Sequence, residues 1–185
     1  MNNLYSCPLG YIEVKVGDHG KVRVMLLDSG SQINLITEKQ AKELGLEVQV
    51  GIDMKLVGIA NNVARLVGIA EDVPIKIGRH IYGKCHFFIT DGDAPLVLGR
   101  PFLVDFEAKI EFTEEWGERI TILDERGLGL RFSTCNPDTS QFQRELPTVG
   151  EEEQVNKSRR RHVHAGNTDA RRMKVEEVTG GSFLV

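Results

Sequence analysis

Between Leu9 and Phe132, short runs of β-branched and aliphatic residues are broken every few positions by Gly, Asn and Asp. Runs of this kind are too short for the apolar stripe of a long helix and suit half-buried strands joined by tight turns, so they constrain the chain to a compact all-β domain. Residues 10–16 and 21–27 flank Gly17-Asp18-His19-Gly20, a polar turn of hairpin length. Residues 33–36 read as a short strand, followed by a helix with Thr37 as its N-cap and Gly45 at its end. The pentapeptide Leu-Val-Gly-Ile-Ala occurs at 56–60 and again at 66–70, and a hairpin folded near Asn61-Asn62 would set the two copies side by side. Further strands are expected at 73–77, 84–89, 108–112 and 119–123. The apolar run at 96–98 closes on Gly99 and can continue as a short helix, with Pro101 near its start.

Beyond Thr134 the pattern stops. The segment 136–181 carries the charge blocks Glu151-Glu152-Glu153 and Arg159-Arg160-Arg161, with few aromatics and no sustained periodicity. Residues 1–134 are therefore expected to form the folded domain, and residues 135–185 a mostly disordered, charged tail or linker. At 185 residues, one domain and one tail fit the usual domain size.

The formal net charge of -4 offers no general attraction to nucleic acid, so no nucleic-acid partner is expected for the core domain. No apolar run approaches the ~18 residues of a membrane span, and no basic stretch followed by an apolar one opens the chain, so no membrane partner is expected. Cys7, Cys85 and Cys135 are odd in number and lack C-x-x-C spacing, which argues against a disulfide framework or a zinc site. The expectation is a soluble intracellular protein, cytoplasmic or nuclear, without metal or cofactor. An opening so close to the first strand suggests a piece of a polyprotein or a trimmed gene model.

The chemistry concentrates in Leu26-Leu27-Asp28-Ser29-Gly30-Ser31. Asp-Ser-Gly is common in turns, but here the Asp ends an apolar strand, so its carboxylate should emerge in a partly dehydrated place. Gly30 can adopt backbone geometry closed to other residues, and Ser29 can donate a hydrogen bond that locks the turn. Asp91, Asp93, Asp105 and Asp124 lack this context and read as loop or turn acids. Neither the scattered His19, His80 and His86 nor the cysteines carry a nucleophilic signature.

With these residues in place the sequence resembles the retropepsin family, the dimeric aspartic peptidases of retroviruses and long-terminal-repeat retrotransposons, most closely the gypsy-type elements. The resemblance covers roughly Tyr11 to Phe112. It rests on the Asp28-Ser29-Gly30-Ser31 turn, a glycine-containing hairpin after it, the strand pair around Pro74 to Ile89, and the apolar-Leu98-Gly99 motif before a short helix. It implies an all-β, retropepsin-like closed barrel or sandwich, the half-fold of acid proteases, with one or two short helices, acting as an obligate homodimer. It also implies that Asp28 is catalytic, that Ser29, Gly30, Ser31, Leu98 and Gly99 support its loop, and that Gly58, Ile59, Ala60, Asn61 and Asn62 form a flap over an extended polypeptide substrate. Many viral members carry a second acid four positions after the catalytic one, paired with an arginine after the helix glycine. This chain has Gln32 and Arg100 in those places.

Peptide hydrolysis without a metal or nucleophile needs one charged and one protonated carboxyl group at once, and two carboxyls a few ångströms apart hold one proton between them. No second Asp-Ser/Thr-Gly exists in the chain, so the resemblance implies that a second copy supplies it. The function expected is aspartic endopeptidase activity in processing a retrotransposon polyprotein. The rival is a retropepsin-like dimerisation or peptide-binding module without turnover.

Overall fold

The computed structural model describes residues 9–58, 63–113, 117–134, 153–156 and 182–184. Strands β1 (Tyr11–Val16) and β2 (Lys21–Leu27) pair antiparallel around a turn whose two glycines, Gly17 and Gly20, take positive φ. β3 (Leu35–Thr37) runs straight into α1 (Glu38–Leu44). There Thr37 Oγ1 accepts from the Gln40 N–H and Gly45 closes the helix at φ 66°, as the capping residues of the sequence require. β4 (Gln49–Val57), β5 (Val63–Ile77) and β6 (Ile81–Thr90) follow as an antiparallel meander. β7 (Val97–Leu98) leads into α2 (Arg100–Asp105), whose proline lies in the first turn, where a missing N–H costs nothing. The remaining strands are β8 (Lys109–Thr113), β9 (Gly117–Leu123), β10 (Leu128–Ser133), β11 (Glu153–Asn156) and β12 (Ser182–Leu184).

The larger sheet has the order β1-β2-β7-β3-β6-β5-β4-β12, and a further pairing of β1 with β5 closes β1-β2-β7-β3-β6-β5 into a barrel. Alternation does the sorting: Ile12, Val14 and Val16 point inward from β1 while their neighbours are more exposed. They meet Met25, Phe87, Ile89 and Phe102 in one core, which Ile120, Ile122 and Leu130 of the smaller sheet, β11-β10-β9-β8, also join. Phe102 stacks on Phe106 with ring centroids 4.7 Å apart. Each such enclosed side chain contributes about 1.5–3 kcal/mol. A second cluster, Leu26, Ile33, Leu35, Met54, Leu56, Leu66 and Val97, ties the β4–β5 hairpin to the strands that carry Asp28.

The closed all-β fold with two short helices agrees with the expectation, and three details differ from it. The arms at 66–70 and 73–77 are one strand, β5. Its ladder to β6 slips between Ala70 and Val73, where Asp72 takes φ 51° and donates its N–H to His86 Nδ1, so a bulge keeps the strand continuous. The two Leu-Val-Gly-Ile-Ala copies do not lie side by side. The connection follows the Val57↔Val63 pair, so Leu56 faces Ala64 and Leu66 faces Met54. β10, which the sequence pattern did not mark as a strand, returns along β9 after the turn at Asp124. In the distal region, β11 pairs with β10 and β12 pairs with β4, while the rest of 135–185 lies outside the described residues.

Asp124, expected as a turn acid, is buried and joins the two sheets. Its Oδ1 accepts from the N–H groups of Arg126 and Leu128, both at 3.0 Å, and its Oδ2 accepts from Arg126 Nε at 2.8 Å and Nη2 at 2.6 Å. Arg126 Nη2 also donates to the His80 carbonyl at 2.7 Å in the β5–β6 turn. Burial by itself pushes the Asp124 carboxyl up. The bonds from Arg126 and Leu128 outweigh that cost and hold it below its ordinary range. A carboxylate with a lowered folded pKa contributes stability above its unfolded pKa, near ~3.9, and loses it as pH falls through the folded value. Asp124→Ala should therefore cost about 2–4 kcal/mol at neutral pH by chemical denaturation, and Asp124→Asn should flatten the acid limb of the stability–pH curve. Equal stability loss across the whole pH range would contradict this role.

Candidate active site

Asp28 follows directly on β2, which is buried through Met25, Leu26 and Leu27. β7 lies between β2 and β3, parallel to the first (Leu26↔Val97, Leu27↔Leu98) and antiparallel to the second (Leu35↔Val97). The apolar strand thus delivers Asp28 to the rim of the barrel beside Leu98 and Gly99. The Asp28 N–H donates to the Leu98 carbonyl at 3.0 Å, and the Leu27 N–H donates to Gly10 at 2.9 Å. Asp28 is half-buried, whereas Ser29 and Gly30 are exposed.

The loop is held by its own side chains. Asp28 Oδ1 accepts from the Gly30 N–H at 2.8 Å, which aims the carboxylate back over the turn, and the Ser31 N–H returns to the Asp28 carbonyl at 3.2 Å. Ser31 is fully buried; its hydroxyl donates to the Ile33 carbonyl at 2.8 Å. The Ser31 carbonyl in turn accepts from the Arg100 N–H at 2.9 Å, linking the loop to the start of α2. Gln32 and Arg100 are both exposed.

Leu98 is fully buried beneath this loop, and Gly99 leaves no room for a side chain. A Cβ there would lie 2.2 Å from the Ile33 carbonyl oxygen and 2.9 Å from that of Ser31, both backbone atoms that cannot swing aside. Gly99 is needed for this close approach.

Asn34, which the sequence reading did not single out, completes the support. It is 2% exposed, and its Oδ1 accepts from the Gly99 N–H at 2.9 Å while its Nδ2 donates to the His86 carbonyl at 3.1 Å. Its own carbonyl accepts from the Phe88 N–H. One amide therefore bridges β3, β6 and the turn before α2. The available signal was a lone polar residue inside Ile33-Asn34-Leu35-Ile36, which only a buried bonding partner makes tolerable.

Of the residues expected in the flap, Gly58 follows β4 and is half-buried, while Ile59, Ala60, Asn61 and Asn62 lie outside the described residues. The arms themselves converge on the loop, since Met54, Leu56 and Leu66 pack in one cluster with Leu26, Ile33 and Val97. Cys85 is enclosed in β6. Burial first, and Asp105 second, push its thiol up, so it stays protonated near neutrality and is no nucleophile. Among the described residues no group of three or more His, Cys, Asp or Glu could hold a metal ion, and no helix is long and apolar enough to cross a membrane.

Gly99→Ala should cost about 3 kcal/mol or more, because backbone must move, and Asn34→Leu about 2–4 kcal/mol, because it strands the Gly99 N–H and the His86 carbonyl. Denaturant unfolding of the two variants checks both numbers; a neutral Gly99→Ala would refute the close approach.

Residues 12–102 match a family model described as aspartyl protease. The chain is 26% identical over 137 residues to the UBA domain-containing protein Mud1 of Schizosaccharomyces pombe, a match covering 70% of this chain and 40% of that protein. This chain therefore spans less than half the length of that curated relative. Among solved structures, EIAV protease complexed with an inhibitor aligns at 20% identity and a TM-score of 0.42, over 57% of this chain and 92% of that one. The retroviral protease-like domain of Ddi1 from Leishmania major aligns at 15% identity and a TM-score of 0.48, over 63% and 90%. A retropepsin-like aspartic protease from Rickettsia conorii aligns at 19% identity and a TM-score of 0.44, over 60% and 87%.

Proposed function

We propose that this chain, whose residues 12–102 match the aspartyl protease family model, is an aspartic endopeptidase that assembles as a homodimer and cuts extended polypeptides, with Asp28 of each copy forming the catalytic pair. The observation that carries the reading is the Asp28 turn: a half-exposed carboxylate at the end of a buried strand, oriented by the Gly30 N–H and floored by Leu98 and Gly99. A turn built so rigidly around one carboxylate suits a group that must hold its position against a reacting atom.

One chain supplies one Asp-Ser-Gly turn. With a second copy across a twofold axis, the two carboxyls share a proton. The charged one takes a proton from water as it attacks the scissile carbonyl, and the protonated one donates to the carbonyl oxygen as charge develops there. Ser29, exposed beside Asp28, is the hydroxyl that would bond across the axis, while Ser31, Leu98 and Gly99 keep the turn in place. The β4–β5 hairpin, with Gly58 and the connection 59–62, would cover the substrate, which binds extended and adds backbone hydrogen bonds. Processing of a retrotransposon polyprotein is the narrower form of this proposal.

A second reading, a peptide-binding dimer without turnover, is favoured by Gln32, an exposed neutral side chain where viral members carry an acid. The readings separate on a broad peptide library: the peptidase cleaves it, and Asp28→Asn lowers turnover by about 10³-fold or more while the protein stays folded. Specific activity should fall on dilution as dimers dissociate. A folded dimer that cleaves nothing from acid to neutral pH would favour the second reading.

A further inference from the structure

β4 lies outside the closed barrel, and its outer edge presents backbone groups to which another segment can add. The first half of that edge is irregular, because the ladder to β5 slips between Val50 and Met54 and Gly51 takes φ 101°. A bulge of this kind turns an edge away from incoming strands. Regular pairing resumes at Met54 and continues to Val57. Along it Met54 and Leu56 face the cluster beneath the Asp28 loop while Lys55 faces solvent. β12 sits on this regular stretch, parallel to β4, with Ser182 opposite Lys55, Phe183 opposite Leu56 and Leu184 opposite Val57. The stretch ends one residue before Gly58.

A three-residue ladder is weak, since backbone hydrogen bonds are each modest once water is exchanged, and closing the long connection from β11 opposes it. Such a strand is displaceable. We propose that the outer edge of β4 at Lys55–Val57 is a docking edge for an extended segment, that residues 182–184 of this chain occupy it in cis, and that this docking restrains the arm leading to Gly58. The restraint rests on reading the β4–β5 hairpin as the arm that covers substrate; the docking does not.

Amide hydrogen exchange of the full chain tests the docking. Neighbouring residues of a strand direct their N–H groups to opposite sides, so of Ser182→Pro and Phe183→Pro one removes a donor aimed at β4. At least one of the two variants should exchange roughly fivefold faster at Lys55–Val57, with β1 unchanged, and an added peptide of residues 177–185 should restore protection. Unchanged exchange in both variants, or no restoration by the peptide, overturns the docking. In the same variants, peptide cleavage should rise several-fold; raised exchange with unchanged cleavage overturns the restraint. Absence of cleavage by the unaltered chain would strike the peptidase reading and leave the exchange result standing.

Discussion

The approach of Gly99 to the carbonyls of Ile33 and Ser31 is the contact on which the geometry around Asp28 depends. It lets β7 slip between β2 and β3, and that slot brings the Asp28 N–H to Leu98 and the Arg100 N–H to Ser31. Polar groups forced this close in a dry interior must be paired, and Asn34 does so with both ends of one amide. The Asp28 loop is therefore held from below by main chain and one buried side chain, while Asp28 itself stays half-buried at the barrel rim.

A different economy governs the smaller sheet. Ile120, Ile122 and Leu130 extend the barrel core, and the Asp124–Arg126 pair fastens the β9–β10 turn to the β5–β6 turn. A buried carboxylate repays its desolvation only with several donors, and Asp124 has them from one arginine and two backbone N–H groups. This clamp lies in the fold's scaffold. It shows how an acid outside the Asp-Ser-Gly turn can be buried for structural reasons alone.

Much of the architecture was legible along the chain. Short apolar, β-branched runs bounded by turn residues identified β1, β2 and β6, and Thr37 and Gly45 marked the ends of α1 because capping is local chemistry. Pro101 after Gly99 marked the start of α2 for the same reason. The continuity of β5 was not legible, since the bulge at Asp72 depends on His86, fourteen residues away. Nor was the hairpin register, which is set by the packing of Met54 and Leu66 over Leu26 and not by the repeated pentapeptide.

The sequence by itself determined an all-β domain, the Asp28-Ser29-Gly30 turn at the end of an apolar strand, and the presence of a single Asp-Ser/Thr-Gly in the chain, because strand patterning, capping and residue inventory are local or countable. Tertiary structure alone decided that Asn34 supports the site and Asp124 joins the sheets, and that the edge of β4 carries residues 182–184. These assignments depend on which backbone groups approach across dozens of residues, and hydrogen bonding over such separations leaves no periodic trace in the chain.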